Sequence, residues 1–211
     1  LDFVALDFEH GRNRLEDLPT ATGLLRKSGK FVIARFAEPG LKELQIAYDC
    51  GVDYVQVAGI RTLSDCQALF EIQSQVGWSP WVQRAYSPHL PNTNLIFQIE
   101  FAESFSEFMT SPGPFSGRDY FLGRYDLSKS MGYELGSAKD YENVRSFHAR
   151  CLELGYRPWT VATEKLDLEN LIRIGFEYVS LSSDFSLINQ GLKRINEWAG
   201  RKGGHESGSR D

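Results

Sequence analysis

The chain has 211 residues, 42% of them hydrophobic and 24% charged, a globular composition large enough for one core, which excludes wholesale disorder. Its 19 glycines and 8 prolines are scattered without a period, which excludes a collagen-like or low-complexity chain. A net charge of −5 provides no basic footprint for nucleic acid, and no apolar run approaches the roughly 18 residues that a membrane span needs.

Strand and helix patterns alternate along almost the whole chain. Residues 1–8 (LDFVALDF) predict a strand and 15–27 a helix with a Ser28-Gly29 stop. The alternation continues with a strand at 31–36, a helix at 41–50, a strand at 53–57 and a helix at 64–75. Further on come a strand at 94–100, a short helix at 102–109, a strand at 119–123 and a long helix at 138–154. The last units are a strand at 157–161, a helix at 166–174, a strand at 177–181 and a helix at 185–198. Gly51, Gly155 and Gly175 each follow a helix and precede a strand by a few residues, where a left-handed cap is needed.

Repeated βα units with near-continuous apolar strands imply a parallel sheet covered on both faces. The expected architecture is a TIM-type (β/α)8 barrel over residues 1–200, its first strand lying ahead of residue 1; a doubly wound open sheet is the alternative. No G-x-G-x-x-G follows the first strand, which counts against a dinucleotide fold. Residues 76–93, with three prolines and no helical period, read as a long loop over the barrel mouth, and the polar tail 201–211 as disordered. Cys50, Cys66 and Cys151 form no CxxC pair, and with no leader ahead of the opening strand a reducing, cytoplasmic setting is expected.

A barrel places its chemistry at the carboxyl ends of its strands. The first strand ends in Asp7, Glu9 and His10; the next strands carry Arg35, then Gln98 and Glu100, and 119–123 runs into Arg124, Tyr125 and Asp126. Gln98 and Glu100 share a side because strand side chains alternate. Glu100 and Asp126, on consecutive strands, are two hard oxygen ligands suited to Mg²⁺ or Mn²⁺, with a substrate completing the coordination. Each residue also has a structural reading. Asp126 can cap the segment after it, Glu100 can pair with an arginine, His10 can be a loop histidine, and Arg35 inside an apolar strand can be an ion pair with Glu100.

At these residues the chain resembles the HpcH/HpaI aldolases, class II pyruvate aldolases of the phosphoenolpyruvate/pyruvate barrel superfamily. Leu6-Asp7-Phe8-Glu9-His10-Gly11 is similar to the family's D-x-E-H strand end, Ile33-Ala34-Arg35 to its arginine strand, and Gln98-Ile99-Glu100 to its Q-x-E metal strand. Gly123-Arg124-Tyr125-Asp126-Leu127 with Met131-Gly132 resembles G-P-A-D-L…L-G, and Ser182-Ser183-Asp184 the closing G-S-D. The resemblance implies cleavage or formation of a C–C bond in a 4-hydroxy-2-oxo acid, giving pyruvate and an aldehyde. It implies Glu100 and Asp126 as ligands of a divalent metal, Mg²⁺ or Mn²⁺ with Co²⁺ as a further candidate. Arg35 would stabilise an enolate, His10 would be the base with Asp7 orienting its ring, and Gln98, Arg124 and Tyr125 would contact substrate. It also implies a homo-oligomer: a dimer, trimer or hexamer.

Two departures stand out: Arg124-Tyr125 replaces the family's Pro-Ala, and 76–93 replaces a longer arginine- and glycine-rich segment. A citrate-lyase-β-like acyl-CoA lyase shares the barrel and both carboxylates. A class I aldolase needs a lysine near a strand end, and none of the strands carries one. A non-catalytic barrel binding a keto acid or sugar is the alternative from another class.

Overall fold

A computed structural model describes residues 1–75, 94–111, 119–181 and 183–200. The expectations for the 76–93 loop, Ser182 and the 201–211 tail fall outside these residues. The first half runs β1 (Phe3–Asp7), a 3₁₀ turn (Leu15–Asp17), α1 (Leu18–Lys27), β2 (Phe31–Ala37), α2 (Leu41–Asp49), β3 (Tyr54–Ile60) and α3 (Leu63–Gln75). The second half runs β4 (Asn94–Ile99), α4 (Ala102–Thr110), β5 (Asp119–Leu122), α5 (Arg124–Met131), α6 (Ala138–Glu153), β6 (Arg157–Val161), α7 (Lys165–Ile174), β7 (Tyr178–Ser180) and α8 (Asp184–Trp198). None of these helices is long and apolar enough to cross a membrane.

The strands form one sheet in the order β1-β2-β3-β4-β5-β6-β7, and each pairs in parallel with its neighbour in sequence. Every connection between successive strands is therefore a crossover carrying helix, as apolar parallel strands require. Its outer face meets the helices in the large core, with Val32, Ala34, Val55, Val57, Leu95, Phe97 and Tyr120 packed against Leu18, Leu44, Phe108, Phe147 and Leu171. Period-2 alternation sends the intervening residues inward.

There Ile33, Ile96, Phe121 and Trp159 make a second cluster, with Phe3, Tyr54 and Tyr178 against it. The Trp159 ring lies 5.6 Å from Phe3 of β1, 5.5 Å from Tyr54 of β3 and 4.4 Å from Tyr178 of β7. Strands β1 and β6 are far apart in the hydrogen-bonded order, so a contact between their side chains requires the sheet to curl around this cluster. The expected (β/α)8 barrel is thus realised among the described residues as a seven-stranded curled sheet, with β1 and β7 as its two edges.

Gly51, Gly155 and Gly175 all adopt left-handed backbone after their helices, as expected. The sequence reading placed no helix at α5. That segment is polar nearly all round, and it buries Arg124, Leu127 and Ser128.

Candidate active site

One step of two residues up from the apolar layer changes the chemistry of the inner face. Phe3 and Ala5 lead to Asp7, Ile33 to Arg35, Tyr54 to Gln56, and Ile96 to Gln98 and then Glu100. These polar side chains gather at the carboxyl end of the sheet, the end where such folds build their sites.

Gln56, Gln98 and Glu100 are buried and joined in a chain. The Gln56 amide donates to the Gln98 side-chain oxygen, and the Gln98 amide donates to the Glu100 carboxylate. The other Glu100 oxygen accepts the Gly59 backbone N–H at 2.7 Å. Gly59 lies where the β3–β4 register slips, at φ +79°, a left-handed conformation that glycine adopts without strain. Gln98 was expected to touch substrate. Both ends of its amide are committed to holding Glu100, and Gln56 and Gly59 are partners that the strand-end reading missed.

Asp7 and Arg35, opposite one another in the β1–β2 register, form a two-pronged ion pair with Nε–Oδ1 at 3.0 Å and Nη2–Oδ2 at 2.7 Å. Asp7 also accepts the backbone N–H groups of Glu9 (2.9 Å) and His10 (3.2 Å). Burial disfavours the ionised acid, but the guanidinium and these N–H groups outweigh it and hold Asp7 below the usual carboxylate range. The expected pairing of Asp7 with the His10 ring is corrected: Asp7 binds the His10 main chain, and its carboxylate belongs to Arg35. The structural alternative for Arg35 was an ion pair with Glu100; its partners are Asp7 and Glu9, the latter at 3.3 Å.

The His10 side chain is 70% exposed and lies 3.7 Å from the Glu9 carboxylate, whose side chain is only 14% exposed. Glu9 has one buried oxygen without a hydrogen bond. Its pKa is raised by burial, with Glu100 and Asp7 adding to the shift and Arg35 and His10 opposing it. Glu9 was named at the end of the first strand but given no role; alternation counted from Asp7 places it on the inner side. With Phe8, Phe36, Glu38 and others it lines a cleft of about 400 Å³ beside the site.

At the end of β5, Gly123 allows the close approach of Glu100 from the neighbouring β4. A methyl group added there would sit 2.8 Å from Cβ of Glu100 and 3.2 Å from the Gln98 amide nitrogen. Asp126 follows in the first turn of α5; it is half-buried and takes no hydrogen bond or ion pair among the described residues. Arg124, expected to face the substrate, is turned the other way. It is 1% exposed, locked between Asp140 of α6 and Asp167 of α7, and donates to the Val161 carbonyl at 3.1 Å. Its donors are spent inside the helix layer. Tyr125 is exposed, and the Lys129 ammonium sits 3.9 Å above its ring on the same helix.

Asp7 and Glu9 face the Arg35 guanidinium, Glu100 stands on the same inner rim, and Asp126 follows in the adjoining first turn of α5, acids whose negative charge a divalent cation would relieve. Glu100, fixed by two donors yet with oxygen lone pairs remaining, and the unengaged Asp126 fit a hard cation such as Mg²⁺ or Mn²⁺. No cluster of three or more His, Cys, Asp or Glu side chains among the described residues forms a closed metal cage, so most of the coordination would be open to substrate and solvent. Cysteine chemistry belongs elsewhere: Cys66 and Cys151 are buried in the outer core, and burial pushes the Cys66 thiol up to about 12. No described strand carries a lysine for a Schiff base.

No protein-family model matches the chain, and no curated protein matches it. Solved structures do. An HpcH/HpaI aldolase/citrate lyase family protein from Burkholderia cenocepacia J2315 aligns with a TM-score of 0.78 at 18% identity, over 94% of this chain and 85% of its own. The citrate synthase SbnG aligns with a TM-score of 0.78 at 17% identity, over 94% and 84%. The HpcH/HpaI aldolase from Desulfitobacterium hafniense DCB-2 gives 0.75 at 16% identity, over 93% and 84%. The chain therefore shares its fold with aldolase and lyase enzymes of this family.

Proposed function

We propose that the chain is a metal-dependent aldolase that cleaves or forms the C–C bond of a 4-hydroxy-2-oxo acid, with pyruvate and an aldehyde as the other partners. The observation that carries the reading is the gathering of Asp7, Arg35 and Glu100 on one inner rim, with the unengaged Asp126 in the adjoining helical turn. A divalent cation held by Glu100 and Asp126 would supply Lewis-acid stabilisation of the developing enolate.

The chain's own residues supply the rest. Gln56, Gln98 and Gly59 fix the direction of Glu100. Asp7 and Glu9 hold one edge of the Arg35 guanidinium, and its Nη1 group has no partner among the described residues. That group would meet a substrate oxygen with a fixed positive charge in a site drier than water. His10, at the open side of the rim, would take or return a proton at the hydroxyl of the cleaved bond. Glu9, half-buried and 3.7 Å from the ring, would hold the imidazole toward the site.

The likeness to citrate synthase SbnG and to a citrate lyase family protein favours one second reading, in which the bond broken or made belongs to an acyl-CoA or citrate-like substrate. The test separates the two. Pyruvate release is measured from a panel of 4-hydroxy-2-oxo acids and cleavage from a panel of CoA thioesters, each with and without EDTA, on the native chain and on Glu100→Gln. Pyruvate release abolished by EDTA and by Glu100→Gln supports the aldolase. Turnover of thioesters alone moves the assignment to the second reading. Turnover indifferent to both EDTA and Glu100→Gln overturns the cation site, and cation binding with no turnover of any substrate leaves a binding barrel.

A further inference from the structure

Arg124 has no part in the chemistry just described, yet its side chain is almost fully buried between two carboxylates. Two carboxylates and one carbonyl from three different elements converge on it: Asp140 from α6, Asp167 at 2.8–2.9 Å from α7, and the Val161 carbonyl at 3.1 Å from the end of β6. Both acids are themselves fixed. Asp140 accepts the Gly136 N–H at 2.8 Å. Asp167 accepts the Thr163 N–H at 2.8 Å, the Thr163 hydroxyl at 3.1 Å and the Tyr141 hydroxyl at 2.7 Å.

The position of Arg124 in the chain gives this network its direction. Gly123, one residue earlier, has no room to move toward β4, because the space for even a methyl group is taken by Glu100 and Gln98. Arg124 itself is held on the opposite side, its side chain inside the helix layer. The segment 123–126 is thus held between the Glu100 strand end and a rigid ion network, and Asp126 leaves it within the same helical turn. A buried ion pair is weak evidence for added stability, since an apolar replacement of similar volume often does as well, whereas fixing one arrangement among several is its better-attested use.

We propose that Arg124 is a positioning residue: by anchoring the first turn of α5 to α6, α7 and β6 it sets where the Asp126 carboxylate stands relative to Glu100. The proposal rests on the reading in which those two acids hold a cation. Groups that orient metal ligands from behind change metal affinity by about 10- to 100-fold when removed, and Arg124 would act in that way through the backbone rather than through a side-chain contact.

The test measures Mn²⁺ affinity of the full chain from the free-ion electron paramagnetic resonance signal, without substrate. Four proteins are compared: the native chain, Glu100→Gln, Phe147→Leu as a destabilised control, and Arg124→Met combined with Asp140→Asn and Asp167→Asn. The triple change removes buried charge of both signs, so no ion is stranded. The expected result is loss of binding in Glu100→Gln, native affinity in Phe147→Leu, and a loss of about ten-fold or more in the triple variant with native near-ultraviolet circular dichroism. A folded triple variant that binds Mn²⁺ within two-fold of the native chain overturns the proposal. Should the triple variant not fold, Arg124→Lys reads the same quantity, because an ammonium keeps the charge but cannot bridge both acids, and unchanged affinity there is equally fatal. Failure of the native chain to bind Mn²⁺, or native affinity in Glu100→Gln, is a separate result that overturns the cation site and the proposal with it.

Discussion

Replacing Gly123 by alanine tests the close approach on which the Glu100 site is built. At φ −80° the position costs alanine nothing in backbone strain. In open space the change would stabilise by about 0.4–1 kcal/mol, because the unfolded chain loses freedom. The space is not open: the new methyl would lie 2.8 Å from Cβ of Glu100, a backbone-anchored atom that cannot swing aside. Forcing a methyl into a packed site costs about 1–3 kcal/mol, so the sum runs from about zero to a net loss of about 2.6 kcal/mol. The matched control is Gly23→Ala in α1, where nothing lies within 4 Å and the same change should stabilise by about 0.5–1 kcal/mol. Urea unfolding gives both numbers, and Mn²⁺ titration shows whether the displaced Glu100 still binds. Gly123→Ala matching Gly23→Ala in stability, with native Mn²⁺ affinity, would refute the reasoning.

Two further predictions concern charge. An acid whose pKa is raised in the fold costs stability while it is ionised, and the cost vanishes as pH falls below its ordinary value. Glu9→Gln should therefore melt higher than the native chain at pH 7, with the gap closing below pH 4.5; an equal or lower melting temperature at pH 7 contradicts this. Asp167 has the opposite sign. Burial works against its ionisation, but the Thr163 N–H, the Tyr141 hydroxyl and Arg124 outweigh it and hold its pKa below 3.8. The stability it contributes is present above that value and is lost as pH falls through the folded pKa. Asp167→Asn should cost about 3 kcal/mol at pH 7 in urea unfolding, the low end for breaking a buried ion network because Asp140 remains on Arg124, and the gap should narrow below pH 3.8. A gap that does not change with pH would show that the charge of Asp167 is not what matters.

The sheet was legible because it is repetitive: apolar strands, amphipathic helices and a glycine at the joint each leave a periodic mark. The strand-end acids were legible for the same reason, since alternation fixes which residues share the inner face with Gln98 and Glu100. The reading failed where the chain leaves regular structure. Beyond Leu122 the period of two ends, so nothing in the sequence distinguishes an Arg124 turned inward from one turned toward the helices, and the two aspartates that decide it lie far along the chain at 140 and 167. Helix α5 left no amphipathic stripe because Arg124, its most deeply buried residue, is a charged one. His10 drew attention as a histidine beside a strand end, but the bend after Asp7 exposes it and buries Glu9 instead. Gln56 carried no motif, and its importance appears only once β3 lies beside β4, where it stands opposite Ile96 and reaches the Gln98 side chain.

The ring contact between Phe3 and Trp159 bears on how the molecule comes into being. Each strand pairs only with its neighbour along the chain, so the sheet can lengthen step by step, each step closing one loop of moderate length. The inner aromatic layer obeys a different rule: it joins the first strand to the sixth, and no such contact exists until nearly everything between them is in place. The rim that carries Asp7, Arg35 and Glu100 therefore takes its curvature from contacts between strands remote in the chain, the kind whose loop-closure cost makes them slow to form.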